Sequence, residues 1–199
     1  MTKELVISYY KEKLDWIDNV KDYKITIYNK SNDEMPNTIK LNNIGREMQT
    51  YFYHIVNNYD NLSDWTFFTQ GDPFDHVINY YDVLNDFPDL SKHTKLGTDE
   101  SHFFINNSYF VQKIHSYENG YPFHWLVLNI DSLWTQLFET PPLKIYDFTA
   151  GAIFCVSKNQ IQKRNKEFYE KCLKITEERE LSPWEFERII SYIFNNKIK

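Results

Sequence analysis

The sequence predicts an α/β fold in which helices flank a mixed, mostly parallel β-sheet. A strand, a short amphipathic segment and a second strand follow one another at the start of the chain, as in a βαβ unit. A long amphipathic helix then precedes a strongly apolar strand, Trp65–Thr69. With 199 residues, 42% of them hydrophobic, the chain is long enough for one complete core and short for two. We therefore predict a single domain spanning residues 1–199.

The first half of the chain contains the clearest elements. Leu5–Tyr9 and Tyr23–Tyr28 have the composition of strands, with a short amphipathic segment, Leu14–Val20, between them. The polar loop Asn29–Asn37 follows the second strand, at the edge where open α/β sheets bind ligands. Apolar residues at helical spacing then predict one buried helix face: Met48, Tyr51, Phe52, Ile55, Val56 and Tyr59. The strand that follows this helix is too apolar for the edge of a sheet, so we expect it to be central.

The second half contains fewer sustained patterns. We predict three further helices and one strand there: helices over Val77–Asn85, Asn129–Phe138 and about Asn159–Ile175, and a strand over Ala152–Val156. Pro183 occupies the favoured first turn of a last helix, and its apolar stripe consists of Phe186, Ile189, Ile190, Ile193 and Phe194. Phe87–Tyr121 shows no sustained period, and we assign it no element.

Composition limits the partners and the compartment. The net charge of -6 and the pI near 5.5 argue against a nucleic-acid partner, because such binding normally requires a basic face. Cys155 and Cys172 do not form a disulfide framework, so we predict two reduced core thiols. The first strand starts at Leu5 and no apolar run reaches the length of a membrane span. We therefore expect no signal peptide, no membrane span and a cytoplasmic location.

A polar segment, Gln70-Gly71-Asp72-Pro73-Phe74-Asp75-His76, directly follows the central strand. Asp72, Asp75 and His76 fall within five residues there, and oxygen and nitrogen ligands in that arrangement can hold Mg²⁺ or Mn²⁺. The alternative is an Asx-Pro turn, in which the two aspartates cap the next helix and the histidine is a satisfied neighbour. The spacing of the residues leaves both interpretations open.

The start of the long amphipathic helix is a second candidate site. Gly45-Arg46-Glu47 lies where unpaired N–H groups and the positive end of the helix dipole favour an anion, and Arg46 can bind a diphosphate through two N–H groups. Alternatively, Arg46 pairs with Glu47 or with a carboxylate at the sheet edge, and Gly45 only makes the turn. Lys30, at the end of the second strand, would be another cation at the same edge, although an exposed loop lysine is commonly just solvated.

A third candidate lies in the last helix. Glu187 shares a helix face with Ile190 and Phe194, so it borders the buried stripe. A carboxylate in a partly apolar wall can have a raised pKa and act as a general base. The alternative is a carboxylate that pairs with Arg188 or Arg164.

Other residues and motifs give little support to a catalytic or cofactor-binding role. His54 lies in the middle of the long helix, where packing is the expected role. No GxGxxG, GxxxxGK[ST], GxSxG or CxxC motif occurs in the sequence. Dehydrogenase, P-loop kinase and α/β-hydrolase interpretations therefore lose their usual support, and we expect no organic cofactor.

Two blocks of the sequence carry a family resemblance. The first contains Asn43-Ile-Gly-Arg-Glu-x-x-x-Tyr51, His54-Ile-Val, Asn58-Tyr-Asp-Asn-Leu, Phe67-Phe-Thr-Gln-Gly and Asp75-His76. The second contains Gly151-Ala-Ile-Phe-Cys-Val-Ser-Lys, Ile161, Phe168-Tyr169, Glu187-Arg188 and Tyr192-Ile-Phe194. On these motifs the chain resembles a domain-of-unknown-function family found in fungi, other eukaryotes and large DNA viruses. The resemblance covers nearly the whole chain and is weaker over about Phe87–Tyr146.

Proteins of that family are regarded as similar to nucleotide-sugar glycosyltransferases of the GT-A type, in which a Rossmann-like half-sheet binds the donor and a strand-end acidic motif holds a metal. The resemblance implies a single GT-A-like domain, a nucleoside diphosphate sugar donor, a glycan or other hydroxyl acceptor, and Mn²⁺ or Mg²⁺. The usual metal motif of such enzymes is Asp-x-Asp. This chain differs, because Gln70-Gly71-Asp72 stands at the corresponding strand end with Asp75 beyond it.

The resemblance also gives the candidate residues their roles. It implies nucleotide-sugar binding by Lys30, Arg46, Glu47, Gln70 and Gly71, metal binding by Asp72, Asp75 and His76, and catalysis by Asp75 and Glu187. Glu187 is the candidate base for the acceptor hydroxyl if the reaction inverts. One alternative is a non-catalytic carbohydrate- or protein-binding domain with the same fold, favoured by the missing Asp-x-Asp and the abundant aromatic residues. Another is a metal-dependent hydrolase, which would need more ligands than the sequence indicates.

Overall fold

The computed structural model describes residues 1–87, 103–105, 108–110, 114–118, 122–123 and 126–194. The strands in these ranges are β1 (Lys3–Tyr9), β2 (Lys24–Asn29), β3 (Ile39–Lys40), β4 (Trp65–Gln70), β5 (Phe103–Ile105), β6 (Ser108–Phe110), β7 (Ile114–Glu118), β8 (Pro122–Phe123), β9 (Leu126–Val127), β10 (Ile145–Thr149) and β11 (Phe154–Ser157). The helices are α1 (Arg46–Asn58), α2 (Tyr80–Asp86), α3 (Ile130–Leu137), α4 (Lys158–Ile161), α5 (Lys166–Glu178) and α6 (Ser182–Phe194). Short 3-10 helices span Asp15–Asn19, Tyr59–Asn61 and Ala150–Ala152.

A seven-stranded mixed sheet, in the order β3-β2-β1-β4-β11-β6-β5, forms the centre of the fold. Strands β1 to β4 are parallel, whereas β11 runs antiparallel to both β4 and β6, and β5 runs antiparallel to β6. Most of the strands therefore point in one direction, which confirms the predicted α/β class. The apolar strand β4 lies between β1 and β11, so its predicted central position is also confirmed.

Alternating side chains give the sheet two buried faces, as the two-residue period of a strand requires. On one face, Leu5 and Phe67 belong to an apolar cluster that includes side chains of α2 and of the first 3-10 helix. On the other face, Val6, Phe68 and Phe154 belong to a larger cluster that includes side chains of α1, α5 and α6. The sheet is thus covered on both sides, which explains why its central strands are almost continuously apolar.

Several predicted elements differ from those observed. The helix predicted over Asn159–Ile175 is wrong as one element, because α4 and α5 are separate. Asn165 starts α5 by accepting a hydrogen bond from the Phe168 N–H at 3.1 Å. The strand predicted from Ala152 begins only at Phe154, since Gly151 and Ala152 have positive φ angles. The helix predicted from Val77 begins at Tyr80.

Three remaining predictions concern the weakly patterned region, the thiols and the membrane. Of Phe87–Tyr121, the structure describes Phe87 and three short strands, and the rest of that segment lies outside the described residues. Cys155 and Cys172 are both buried thiols, as predicted. Among the described residues, no helix has the length and apolar character needed to cross a membrane.

Candidate functional site

A crevice lies at the carboxyl end of β1, where the connections to the neighbouring strands leave in opposite directions across the sheet. From β1 the chain continues to β2 on one side, and after β3 and α1 it returns to β4 on the other side of β1. Connections that diverge in this way leave a space beyond the carboxyl ends of the strands, where open α/β sheets bind ligands. A cavity of about 350 Å³ occupies this position. It is lined by residues at the ends of β1, β2 and β4 and around the start of α1: Ser8, Tyr10, Glu12, Lys30, Asn43, Arg46, Glu47 and Gln70.

Lys30 is the most deeply buried cation of the crevice. Only 4% of the residue is exposed, so it is not the solvated loop lysine that was the alternative for this position. Its Nζ donates hydrogen bonds to the carbonyl oxygens of Ile44 at 2.6 Å and Arg46 at 2.5 Å. Burial lowers the pKa of Lys30 to about 8, and the nearby carboxylates of Glu47 and Glu177 only partly oppose this shift. Lys30 therefore ties the end of β2 to the start of α1, and one of its three N–H groups remains for a ligand.

The start of α1 depends on a glycine. Gly45 has a φ of +62°, and a Cβ atom placed there would lie 2.6 Å from the backbone oxygen of Thr176. Only glycine fits this close approach without a shift of α1 or α5. Gly45 has no side chain with which to cap α1, and no side chain in the described part of the chain accepts a hydrogen bond from the N–H groups of its first turn.

Arg46 shows features of both interpretations made from the sequence. Its Nε lies 3.5 Å from the Glu47 Oε2, so the predicted local pairing with Glu47 is present. Its guanidinium also lies over the ring of Trp184, 5.1 Å from the ring centre. The side chain keeps 57% of its surface exposed and lines the crevice. The same guanidinium is thus accessible to an anion in the crevice.

Sequence reasoning missed three residues of the crevice: Ser8, Tyr10 and Glu12. Ser8 forms a hydrogen bond of 2.9 Å with the hydroxyl of Thr50 on α1. The backbone N–H of Tyr10 donates to the Glu12 Oε2 at 2.7 Å, which fixes the carboxylate just beyond β1. The signal for these residues was present in the sequence, because the switch-point rule directs attention to the strand at which the connections diverge.

The segment after β4 forms a turn. The Oδ1 of Asp72 accepts a hydrogen bond from the Phe74 N–H at 3.0 Å, which is the Asx turn considered as the alternative for this segment. The amide nitrogen of Gln70 donates to the Asp72 carbonyl at 2.9 Å. Asp75 and His76 are exposed. Of this segment, Gln70 lines the crevice.

Asp72, Asp75 and His76 do not form a preassembled metal centre. Across the part of the chain that the structure describes, there is no group of three or more histidine, cysteine, aspartate or glutamate side chains able to hold a metal ion. Gly71 lies beneath the Glu12 carboxylate, so a side chain at that position would displace Glu12. The role of Gly71 is therefore to leave room for Glu12.

Glu187 does not line the crevice and belongs to a second cluster of polar groups. Its Oε1 accepts a hydrogen bond from the Gly151 N–H at 2.5 Å, and its Oε2 accepts one from buried Arg188. The sequence had offered pairing with Arg188 as the alternative to catalysis, and that pairing is present. At Gly151, with a φ of +83°, the ring of His76 lies so close that a Cβ atom would be 2.6 Å from it. The structure thus brings Glu187 and His76 to the same glycine.

Electrostatics connect Glu187 to the crevice. Burial raises the pKa of Glu187, and Arg188 and the Gly151 N–H oppose this effect, whereas the negative charge of Glu47 adds to it. The same two carboxylates contribute, after burial, to the raised pKa of Tyr51, whose side chain is buried in α1. Glu187 is not one of the residues that line the crevice, but its protonation responds to the charge there.

Comparison with known proteins assigns the chain to a family. Residues 5–198 match the family described as "Protein of unknown function (DUF3431)", and the chain belongs to that family. No curated protein and no solved structure matches the chain.

Proposed function

We propose that this member of the DUF3431 family is a glycosyltransferase that moves a sugar from a nucleoside diphosphate sugar to a hydroxyl acceptor. The observation that supports this most is the position of the crevice, beyond the carboxyl ends of β1, β2 and β4 and beside the start of α1. Nucleotides bind at this place in open α/β sheets, and the N-terminus of a helix favours phosphate. The cavity volume of about 350 Å³ falls within the range of ligand pockets, roughly 300–1,000 Å³.

The cations of the crevice have a clear role in this proposal. Arg46 and Lys30 flank the start of α1 and would neutralise the diphosphate of the donor. In the reaction, the bond between the anomeric carbon and the diphosphate oxygen breaks, and a bond from that carbon to the acceptor oxygen forms. The diphosphate leaves with the electron pair of the broken bond, and its charge is stabilised by the two cations.

Glu187 is the proposed recipient of the acceptor proton, which would reach it through an intervening water because Glu187 does not line the crevice. Burial raises its pKa, which is the shift expected of a carboxylate that accepts a proton near neutral pH. Its pairing with Arg188 keeps the charged form populated before the reaction. If the reaction retains the configuration of the sugar, the departing diphosphate takes the acceptor proton, and Glu187 then holds Gly151, which adjoins the ring of His76.

In this proposal, a divalent cation such as Mn²⁺ or Mg²⁺ would bind together with the nucleotide sugar. The side chains of Asp72, Asp75 and His76 do not make a preformed metal centre. Such ions are, however, often held by one or two carboxylates together with substrate phosphates. No step of the proposed reaction depends on the ion. Asp75 is exposed and does not line the crevice, and we retain it as a candidate in catalysis.

Thermal shifts with UDP, GDP and dTDP sugars, each with and without Mn²⁺, test the proposal directly. We expect at least one donor to raise the melting temperature, and Arg46→Met to weaken its binding by ~10-fold. Lys174→Met, on the exposed face of α5, is the control for loss of a positive charge. The absence of any response to all three donors would count against the proposal.

One set of observations favours a non-catalytic binding domain as the second candidate. Asp72 is engaged in a turn and Glu187 in an ion pair, so neither carboxylate is free of protein partners. This candidate predicts ligand binding without turnover. A donor-hydrolysis assay on the wild type, Glu187→Gln and Asp72→Ala decides between the two, because turnover that is lost in a variant requires catalysis.

A further inference from the structure

The crevice has different hydrogen-bonding groups beside α1 and at the carboxyl end of β1 and β4. Beside α1, the side chains of Lys30 and Arg46 can only donate, and the carboxylate of Glu47 is paired with Arg46. At the end of the two strands lie Glu12, just beyond β1, and Gln70, the last residue of β4, which the strand register places beside Ser8. This strand end determines what a bound molecule must present there.

Both side chains at that end are left as acceptors. The amide nitrogen of Gln70 already donates to the Asp72 carbonyl at 2.9 Å, and among the described residues the Gln70 Oε1 has no donor. The Oε2 of Glu12 accepts from the Tyr10 N–H at 2.7 Å, and its Oε1 has no donor within the same described part of the chain. A ligand at this end therefore meets two oxygen acceptors, one of them charged.

An aromatic face lies beside these acceptors. Tyr10 is 47% exposed, which is unusual for a large side chain directly after a buried strand, and it lines the same cavity. The Lys11 ammonium lies over one face of its ring, 5.7 Å from the ring centre. The exposed part of the ring offers a flat surface on which a base can stack.

On the basis of the proposed function, we infer that the crevice selects a guanosine diphosphate sugar, with guanine stacked on Tyr10 and its N1–H and 2-amino groups donating to Glu12 and Gln70. Guanine is the common nucleobase that presents an amide N–H and an amino group side by side on one edge. Because Glu12 is charged, the hydrogen bond that it accepts through its Oε1 is charge-assisted, and Gln70 accepts the other. The diphosphate then extends toward Arg46 and Lys30, which line the same crevice beside α1.

The same acceptors disfavour the other bases. Uracil and thymine carry one N–H between two carbonyl oxygens, which would face the oxygens of Glu12 and Gln70. Adenine offers a single amino group next to an unprotonated ring nitrogen. Polar groups that are removed from water and left unpaired cost free energy, so a site of this kind discriminates strongly against the wrong base.

Isothermal titration calorimetry of the full chain with GDP, IDP, ADP and UDP tests the inference. We expect GDP to bind at least ~10-fold more tightly than UDP or ADP. IDP lacks only the 2-amino group, so we expect its affinity to lie between those of GDP and UDP. Glu12→Gln retains a carbonyl acceptor for the Tyr10 N–H but loses the charge, and it should reduce the GDP preference over UDP to within ~3-fold.

The control variant is Glu170→Gln, which removes an exposed acid of α5 that does not line the crevice. It should leave all four affinities unchanged. If GDP and UDP bind equally well, or if Glu12→Gln keeps the full GDP preference, the inference about guanine is wrong while the proposed function stands. If no nucleotide binds, the proposed function itself fails, and the inference fails with it.

Discussion

Replacement of Gly45 by alanine tests how the start of α1 is held. The added Cβ atom would lie 2.6 Å from the Thr176 backbone oxygen, which cannot rotate away. The left-handed φ of +62° costs alanine roughly 1–2 kcal/mol, and the overlap adds about 1–3 kcal/mol because α1 or α5 must move. We therefore expect the free energy of unfolding to fall by about 2–5 kcal/mol in Gly45→Ala.

The measurement is urea denaturation followed by the fluorescence of the five tryptophans. Asn37→Ala is the matched control, because Asn37 has a similar φ of 59° and is exposed. It should lose only about 1 kcal/mol, since alanine there has the backbone strain without the overlap. Equal losses in the two variants would refute the argument from the approach to Thr176.

Three further predictions concern buried charges. Burial lowers the pKa of His54 to about 4, although Glu4 lies only 3.9 Å away. Acidification from pH 6.5 to 4 therefore protonates this histidine in the unfolded chain first and should lower the free energy of unfolding by about 3 kcal/mol. Urea titrations should find this pH dependence missing in His54→Gln. Because the pKa of Lys30 is about 8, GDP affinity should fall as the pH rises through 8, whereas calorimetry on Lys30→Arg should show a flat profile. Glu187→Gln and Arg188→Met should each lower the free energy of unfolding by about 3–5 kcal/mol, because each breaks a buried ion pair. In a double-mutant cycle, the double variant should lose much less stability than the sum of the two single losses. Additive losses would show that the pair does not act as a unit.

Local sequence patterns determined most of the helices and the strands β1, β2, β4 and β11, but not the shorter strands β3 and β5 to β10. The apolar stripe at helical spacing predicted α1, and the continuous apolar run predicted a central β4, because period and hydrophobicity are local properties of a chain that must bury one face or two. The break between α4 and α5 could also have been found locally, since Asn165 is a favourable helix N-cap. The polar segment beyond β4 could also be located from the sequence, because it directly follows an apolar strand. The sequence could not tell whether Asp72 in that segment would make a turn or bind a ligand.

Only the tertiary structure decided which side chains meet. Lys30 is buried because α1 returns across the end of β2 and places two carbonyl oxygens around its ammonium, a contact between residues 14 and 16 positions apart. Arg46 lies over Trp184 and Glu187 contacts Gly151 through equally non-local packing. Glu12 lines the crevice because Gly71, distant in sequence, leaves room for its carboxylate. Burial, charge pairing and pKa depend on these distances in space, which a one-dimensional pattern does not contain.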